Sequence, residues 1–460
     1  MSANTEAALA KVPYRVTDPE LIPTERYFDA EFFELEKKHL WPKVWQMAAR
    51  LEEISNVGDY VEYTILDKSV IVVRAESGVK AYLNACRHRG VRLANGPGNC
   101  SKNGLVCPFH GWRWNAEGEN TFVFGPHIFN EDLLRHAEID LVPVRCETWA
   151  GCAFINLDKN ARPLLECMGP IVDRLNARHV DKLKMDWWYA TILPTNWKLA
   201  MEAFMEGYHV MQTHPQLHWV SPHANARWGP EADGTMRNEE MTGDEAWEMG
   251  IDFWKSLNQG MAGMLHDTEM AIIEKYRGEG FKGTMDEAFM TMAGRAMVDI
   301  RDDARARGAD MFDIPKVAAE VEMNAVEFMF PHYFVLPSMG AMSSYRCRPL
   351  TPETCYFEIW SLVIRPDSEE YDTPTRATFL EYNSPDYPEI PRQDYSNLPL
   401  QQLGLHNMKE MRLSRDWEGL ISNYQRLIDG YIAGLDDDKL VTGQNRVNHG
   451  YDRPICDVGF

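Results

Sequence analysis

Residues 86–112 read CRHRGVRLANGPGNCSKNGLVCPFHGW, and two short pieces of this stretch decide how the chain is read. Cys86-Arg87-His88 is followed, after 18 intervening residues, by Cys107-Pro108-Phe109-His110, so each piece offers one thiol and one imidazole. Gly90, Gly96, Pro97, Gly98, Pro108 and Gly111 favour tight turns around them, and two such loops can clasp one metal group from both sides. Two thiolates on one iron and two neutral imidazoles on the other give a [2Fe–2S] cluster a higher potential than four thiolates would, which suits an electron relay. Zinc also accepts two Cys and two His, but zinc fingers usually supply the cysteines as one close pair and the histidines as another. Here each loop mixes one of each, so the cluster is the preferred reading and a zinc-stabilised binding protein the alternative.

Around this stretch the chain changes character twice. From 59 to 156 it runs in short β-rich pieces, VEYTIL, KSVIVVRA and CAFINL among them, broken by Gly, Asn and Asp. Ahead of these, residues 26–48 space apolar and aromatic side chains as one or two amphipathic helices would. Behind them come a helical stretch near 164–177, a strand in WWYATIL (187–193) and a helix from about Trp197 to Gln212. Strands in VEFMFPHYFVL and CYFEIWSLVI and a long closing helix over 414–434 follow. The expected organisation is a helical lead-in over 1–45, an all-β domain over 46–160 and an α+β domain over 161–460.

Composition narrows the function classes. The chain has 460 residues, 69 acidic and 47 basic side chains and a formal charge of −22, which would repel a nucleic-acid backbone. No apolar run reaches the roughly 18 residues that span a bilayer, and the first residues lack a basic segment followed by an apolar one, so a cytoplasmic protein with no membrane partner is expected. Cys100, Cys146, Cys152, Cys167, Cys347, Cys355 and Cys456 have no paired spacing and read as reduced structural thiols. Fifteen of the 24 methionines fall between 236 and 342, as adaptable core filling or as the wall of an apolar pocket. No glycine-rich turn of the GxGxxG kind marks a nicotinamide or flavin site.

A second constellation lies downstream in NWKLAMEAFMEGYHVMQTH (196–214). Glu206 and His209 are three apart and share a helix face. His209 and His214 are five apart, about 140° around a regular helix, so they converge on one metal only if the helix is distorted there. Pro215 makes a helix end plausible, and His218 and His223 read as pocket or surface residues. Two histidines and one carboxylate bind iron(II) on one face and leave positions open for oxygen and substrate, so a third, acidic ligand is needed.

These motifs resemble those of the Rieske oxygenases, the α subunits of ring-hydroxylating and demethylating systems, along nearly the whole chain. The resemblance implies an α+β fold in which an all-β Rieske domain precedes a helix-grip catalytic domain built on an antiparallel sheet. It implies a [2Fe–2S] cluster on Cys86, His88, Cys107 and His110, and a mononuclear Fe(II) on His209, His214 and a late acid, for which Asp416 is the matching position and Glu418 the reserve. It further implies that Glu206 bridges His110 of a neighbouring subunit to His209, within a homotrimer of this chain alone or joined by a small β subunit. Many family members have Asp at the bridging position, and the motif often carries Asn where this chain has Ala203. The implied activity is that of a terminal oxygenase fed by a separate reductase or ferredoxin that uses O2 to hydroxylate its substrate, and the many Met, Phe and Trp residues between 236 and 342 favour a hydrophobic, aromatic or polycyclic one. Oxidative demethylation and a pure electron carrier are the alternatives.

Overall fold

The computed structural model describes residues 3–214, 216–217, 242–261, 263–451 and 453–460; Pro215, His218 and His223 lie outside the described residues. The chain divides into two compact units, one of Glu34–Cys167 with Pro374–Arg376, the other of Met1–Phe33, Met168–Thr373 and Ala377–Phe460.

The first unit is β-rich, as expected. Seven strands pair antiparallel in the order Gln46–Arg50, Cys152–Asn156, Pro143–Trp149, Gly78–Leu83, Lys68–Ala75, Asp59–Ile65 and Gly98–Asn99. Alternation decides which face is inside: Val61, Tyr63 and Ile65 point inward along one strand while their neighbours stay partly exposed. A second sheet of three short strands, Leu105–Val106, Arg113–Trp114 and Asn120–Phe122, carries the second Cys-His loop. Cys86, Cys107, Trp112 and Trp114 share one core with Ile71, Val73 and Leu141.

The second unit is α+β. Its six-stranded sheet runs Glu327–Met329, Tyr333–Pro337, Ala341–Thr351, Thr354–Val363, Lys184–Leu193 and Thr378–Phe379, antiparallel except for the last pair. The helix expected to close the chain over 414–434 spans Gly419–Ile432, buried at every position but Arg426, and a further helix, Asp437–Val447, follows it. Met261, Met270, Met292, Met311, Met329, Met339 and Met342 are buried, which is the core-filling role. No described helix is long and apolar enough to cross a membrane.

Two local expectations change. Residues up to Phe33 are not a separate lead-in but part of the second unit, because Leu21–Pro23 pairs with Glu410–Arg412 and Arg26 is buried against Asp429 and Gln425. The helix expected from Trp197 to Gln212 is two pieces, Trp197–Glu202 and Val210–Thr213. The break between them is the distortion that the five-residue histidine spacing demands.

Candidate metal centres

The two Cys-His loops repeat one backbone pattern. The Cys86 N–H donates to the Val91 carbonyl (2.8 Å) and the Gly90 N–H to the Cys86 carbonyl (2.8 Å); Cys107 N–H donates to Trp112 (2.8 Å) and Gly111 N–H to Cys107 (3.0 Å). Each turn closes on a glycine at positive φ, +78° at Gly90 and +73° at Gly111, a region that side chains disfavour. Asn84 pins the first loop: its side-chain carbonyl accepts from the N–H groups of Leu93 (2.8 Å) and Ala94 (3.0 Å), and its amide donates to the Ala94 carbonyl (2.8 Å).

The sulfurs face inward and the imidazoles outward. Cys86 and Cys107 are 4% and 2% exposed, whereas His88 and His110 are half-buried. Burial pushes the Cys86 thiol up, and contact with the Cys107 thiol adds to it. The two imidazole Nδ1 atoms stand 3.2 Å apart, and Trp112 stacks on His88 with ring centroids 5.1 Å apart. Burial, then His110 and Arg89, holds His88 below its ordinary range. Thiol thus meets thiol and imidazole meets imidazole, a donor set with two distinct ends, which fits a two-iron cluster. Among the described residues the one set that brings three donor atoms within 4.8 Å of one another is elsewhere, at His209, His214 and Asp394. The four loop donors are therefore not gathered as a single zinc would require.

At that second set the chain leaves the Trp197–Glu202 helix, whose start Asn196 caps by accepting the Lys198 N–H at 2.9 Å. Glu206 then accepts the His209 N–H at 2.9 Å with one oxygen and meets His209 Nδ1 at 2.7 Å with the other. His214 ends the short Val210–Thr213 helix, and its Nδ1 lies 2.7 Å from the side-chain carbonyl of Gln393. Both rings so have Nδ1 engaged on one side and turn Nε2 to the other. Both Nε2 atoms face one carboxylate oxygen, Asp394 Oδ1, at 3.0 Å from His214 and 3.7 Å from His209. Two imidazoles and a carboxylate on one side are the donor set of non-haem iron(II) sites.

The acid at this point is Asp394, not Asp416. Asp416 is exposed in the turn before the Gly419–Ile432 helix, whereas Asp394 is 4% exposed on the preceding helix, Glu389–Leu405. That helix contains Pro391 in its first turn and Pro399 within it, and its apolar positions follow no clean stripe, so helical periodicity did not reveal it. Gln393 was missed for the same reason. The signal available was the acid flanked by Pro391 at a helix start, where proline is tolerated. Glu418, the reserve, lines a cavity of about 500 Å³ together with Glu202, Glu206, His209 and Asp394. Burial, and the charge of Glu206, push its carboxyl up against the Ser414 N–H that it accepts. Glu202 is buried there, held by the Tyr27 hydroxyl and the Gln425 amide.

A cluster-bearing β domain joined to a helix-grip unit with a two-histidine, one-carboxylate set defines an iron oxygenase architecture. Residues 44–124 match the Rieske [2Fe–2S] domain, and residues 173–434 match the ring-hydroxylating α subunit catalytic domain; the chain belongs to this family. Its cofactors are accordingly a [2Fe–2S] cluster and a mononuclear iron. The carnitine monooxygenase oxygenase subunit of Escherichia coli (strain K12) is 32% identical over 218 residues, 44% of this chain and 57% of that protein. The glycine betaine monooxygenase oxygenase subunit of Pseudomonas aeruginosa (strain UCBPP-PA14) is 28% identical over 229 residues, 49% of this chain and 52% of that one. The chain thus spans about half the length of the curated relatives it matches. Among solved structures, naphthalene 1,2-dioxygenase from Rhodococcus sp. with indole bound superposes with a TM-score of 0.59 at 17% identity, over 94% of this chain and 99% of that one, a likeness of fold.

Proposed function

We propose that the chain is the terminal oxygenase of a multicomponent system, receiving electrons from a separate reductase or ferredoxin. The observation that carries this is the convergence of His209, His214 and Asp394 donor atoms within 4.8 Å. In this reading Cys86 and Cys107 hold one end of the cluster, His88 and His110 the other, and His209, His214 and Asp394 hold the mononuclear iron. When bound, the cluster supplies single electrons and the iron activates O2, so that one oxygen atom enters a substrate C–H bond and the other leaves as water with two electrons and two protons.

The protein's own groups set the path and the geometry. Glu206 accepts a hydrogen bond from His209 Nδ1 and also lines the cavity, where His110 of a second copy would dock, as in a homotrimer. Two features support that docking: in the cavity lining the acids Glu202, Glu206, Asp394 and Glu418 outnumber the one arginine, Arg412, with Leu400, Leu403 and Met408 exposed close by in sequence, and the cluster loops present Arg87, Arg89 and an exposed Phe109. Opposite charge around an apolar contact favours such an encounter.

For the substrate, the relatives named for carnitine and glycine betaine favour a methylated ammonium compound over the hydrocarbon ring expected from composition. The rings of Phe204, Phe334, Tyr345, Phe357 and Tyr395 pack on one another as buried core and so do not discriminate between the two substrates. The test is metal and sulfide analysis followed by turnover. About three iron and two sulfide per chain are expected, with O2 uptake driven by a surrogate reductase. Uptake stimulated by carnitine or glycine betaine but not by naphthalene or indole supports the ammonium reading; the reverse restores the aromatic one. Glu206→Gln should keep both metals and lose turnover, and full turnover in that variant sinks the bridging role.

A further inference from the structure

The two imidazoles at the mononuclear site are oriented by chemically different partners. His209 has a carboxylate on Nδ1, Glu206, whereas His214 has a neutral amide, Gln393, at 2.7 Å. Gln393 is itself fixed: Gln216 Nε2 donates to the same Gln393 carbonyl at 2.8 Å, and Gln393 Nε2 reaches back to Gln216 Oε1 at 3.4 Å. The turn that carries Gln216 is closed by the Leu217 N–H donating to the His214 carbonyl at 2.8 Å. One helical turn beyond Gln393, the Asn397 amide donates to Thr213 Oγ1 at 3.2 Å, a second tie between the same two segments. His214 is 2% exposed, so no bulk water competes for its ring.

We propose that Gln393 is the positioning residue of His214, holding the Nδ1 proton so that Nε2 is presented to the metal as a neutral donor, with Gln216 fixing the orientation of the amide. A hydrogen bond on one ring nitrogen selects the tautomer and the metal-facing lone pair. The partner is neutral as well as fixed in place. With Asp394 as ligand and Glu206 behind His209, a carboxylate at position 393 would add a third negative charge within one small site. The amide avoids that charge and leaves His209 as the one metal-facing imidazole backed by an anion. This inference rests on the reading of His209, His214 and Asp394 as the iron site.

The test uses full-length protein with its cluster intact and the mononuclear metal removed. Iron(II) is titrated anaerobically into wild type, Gln393→Met, Gln393→Glu and Gln216→Leu, and nitrogen NMR of the metal-free proteins reports the His214 tautomer. Gln393→Met keeps the length and loses the strong acceptor; it should weaken iron binding about 10- to 100-fold, as loss of such outer partners typically does, and lose the Nδ1-protonated tautomer. Gln393→Glu restores an acceptor and should recover the tautomer and affinity to within a few-fold, while Gln216→Leu should fall between. The visible spectrum of the cluster reports folding in each variant. Unchanged affinity and tautomer in Gln393→Met overturn the role of Gln393 alone. A wild type that binds no iron(II) with His209, His214 and Asp394 overturns the site reading on which it depends.

Discussion

His214 Nε2 lies 3.0 Å from Asp394 Oδ1, and that contact joins the end of the Val210–Thr213 helix to the Glu389–Leu405 helix across a long separation in sequence. It implies that the third acid of the site can be found by metal content alone. Asp394→Ala should lower iron from about three to about two per chain while leaving two sulfide and the cluster spectrum, because only the mononuclear site loses a ligand. Asp416→Ala, an exposed position, should leave all three iron and at least half of any turnover. Iron loss in Asp416→Ala and retention in Asp394→Ala would reverse the assignment.

The parts of this site that were legible in sequence are those whose spacing is local. Cys86 with His88, Cys107 with His110 and Glu206 with His209 lie within a few residues of each other, and their partners are set by one loop or one turn. Asp394 is contributed by an element that shows neither a regular apolar stripe nor a proline-free run, so nothing in its neighbourhood announces a helix. The acid that matches by family resemblance, Asp416, instead precedes the next helix, Gly419–Ile432, which has a strong apolar stripe. The same limit explains the lead-in. Arg26 looks like any charged residue in sequence, and only the fold reveals that its partners, Gln425 and Asp429, lie near the other end of the chain.

The paired loop geometry makes a prediction about glycine. A Cβ at Gly90 or Gly111 would meet nothing within 4 Å, so alanine at either costs only the left-handed backbone, about 1–2 kcal/mol. At Gly104 a Cβ would come 2.3 Å from the Trp114 carbonyl oxygen, adding a clash with fixed backbone. Denaturation followed by the cluster absorbance should rank Gly104→Ala well below Gly90→Ala and Gly111→Ala, with the latter two alike. A large difference between the two loop glycines would show that the loops are not equivalent.

Arg26 and Asp429 form an ion pair with side chains 0% and 2% exposed. Removing one partner leaves the other charge buried, a loss of about 3–5 kcal/mol. Asp429→Ala should therefore destabilise the second unit by that amount in denaturant unfolding, and Asp429→Asn by less, since its side-chain carbonyl can still accept from the guanidinium. A change below about 1 kcal/mol in Asp429→Ala, the size of a surface pair, would mean that water reaches Arg26.

Stability should depend on pH through Glu269. This residue is 4% exposed and accepts the backbone N–H of Gly340 at 2.7 Å and of His266 at 2.9 Å. Burial nevertheless pushes its carboxyl up to about 7, because the two donors compensate only part of the lost hydration. The folded value lies above the unfolded one, so the folded protein keeps a proton that the unfolded chain releases above about 4.5. The corresponding stabilisation is complete below about 4.5, falls by about 1.4 kcal/mol per pH unit as pH rises through the window, and is gone above about 7. Glu269→Gln removes the titrating group. It also turns an amide N–H2 toward the His266 N–H, a fixed loss independent of pH. The difference in unfolding free energy between wild type and Glu269→Gln should therefore vary between pH 4.5 and 7 and be flat above, with wild type gaining on the variant as pH falls. Other groups that titrate in this range, Glu202 among them, are common to both proteins and cancel in the difference. A difference that stays constant across the window would mean that Glu269 is ionised throughout, and that the N–H groups of Gly340 and His266 hold its charge fully in the fold.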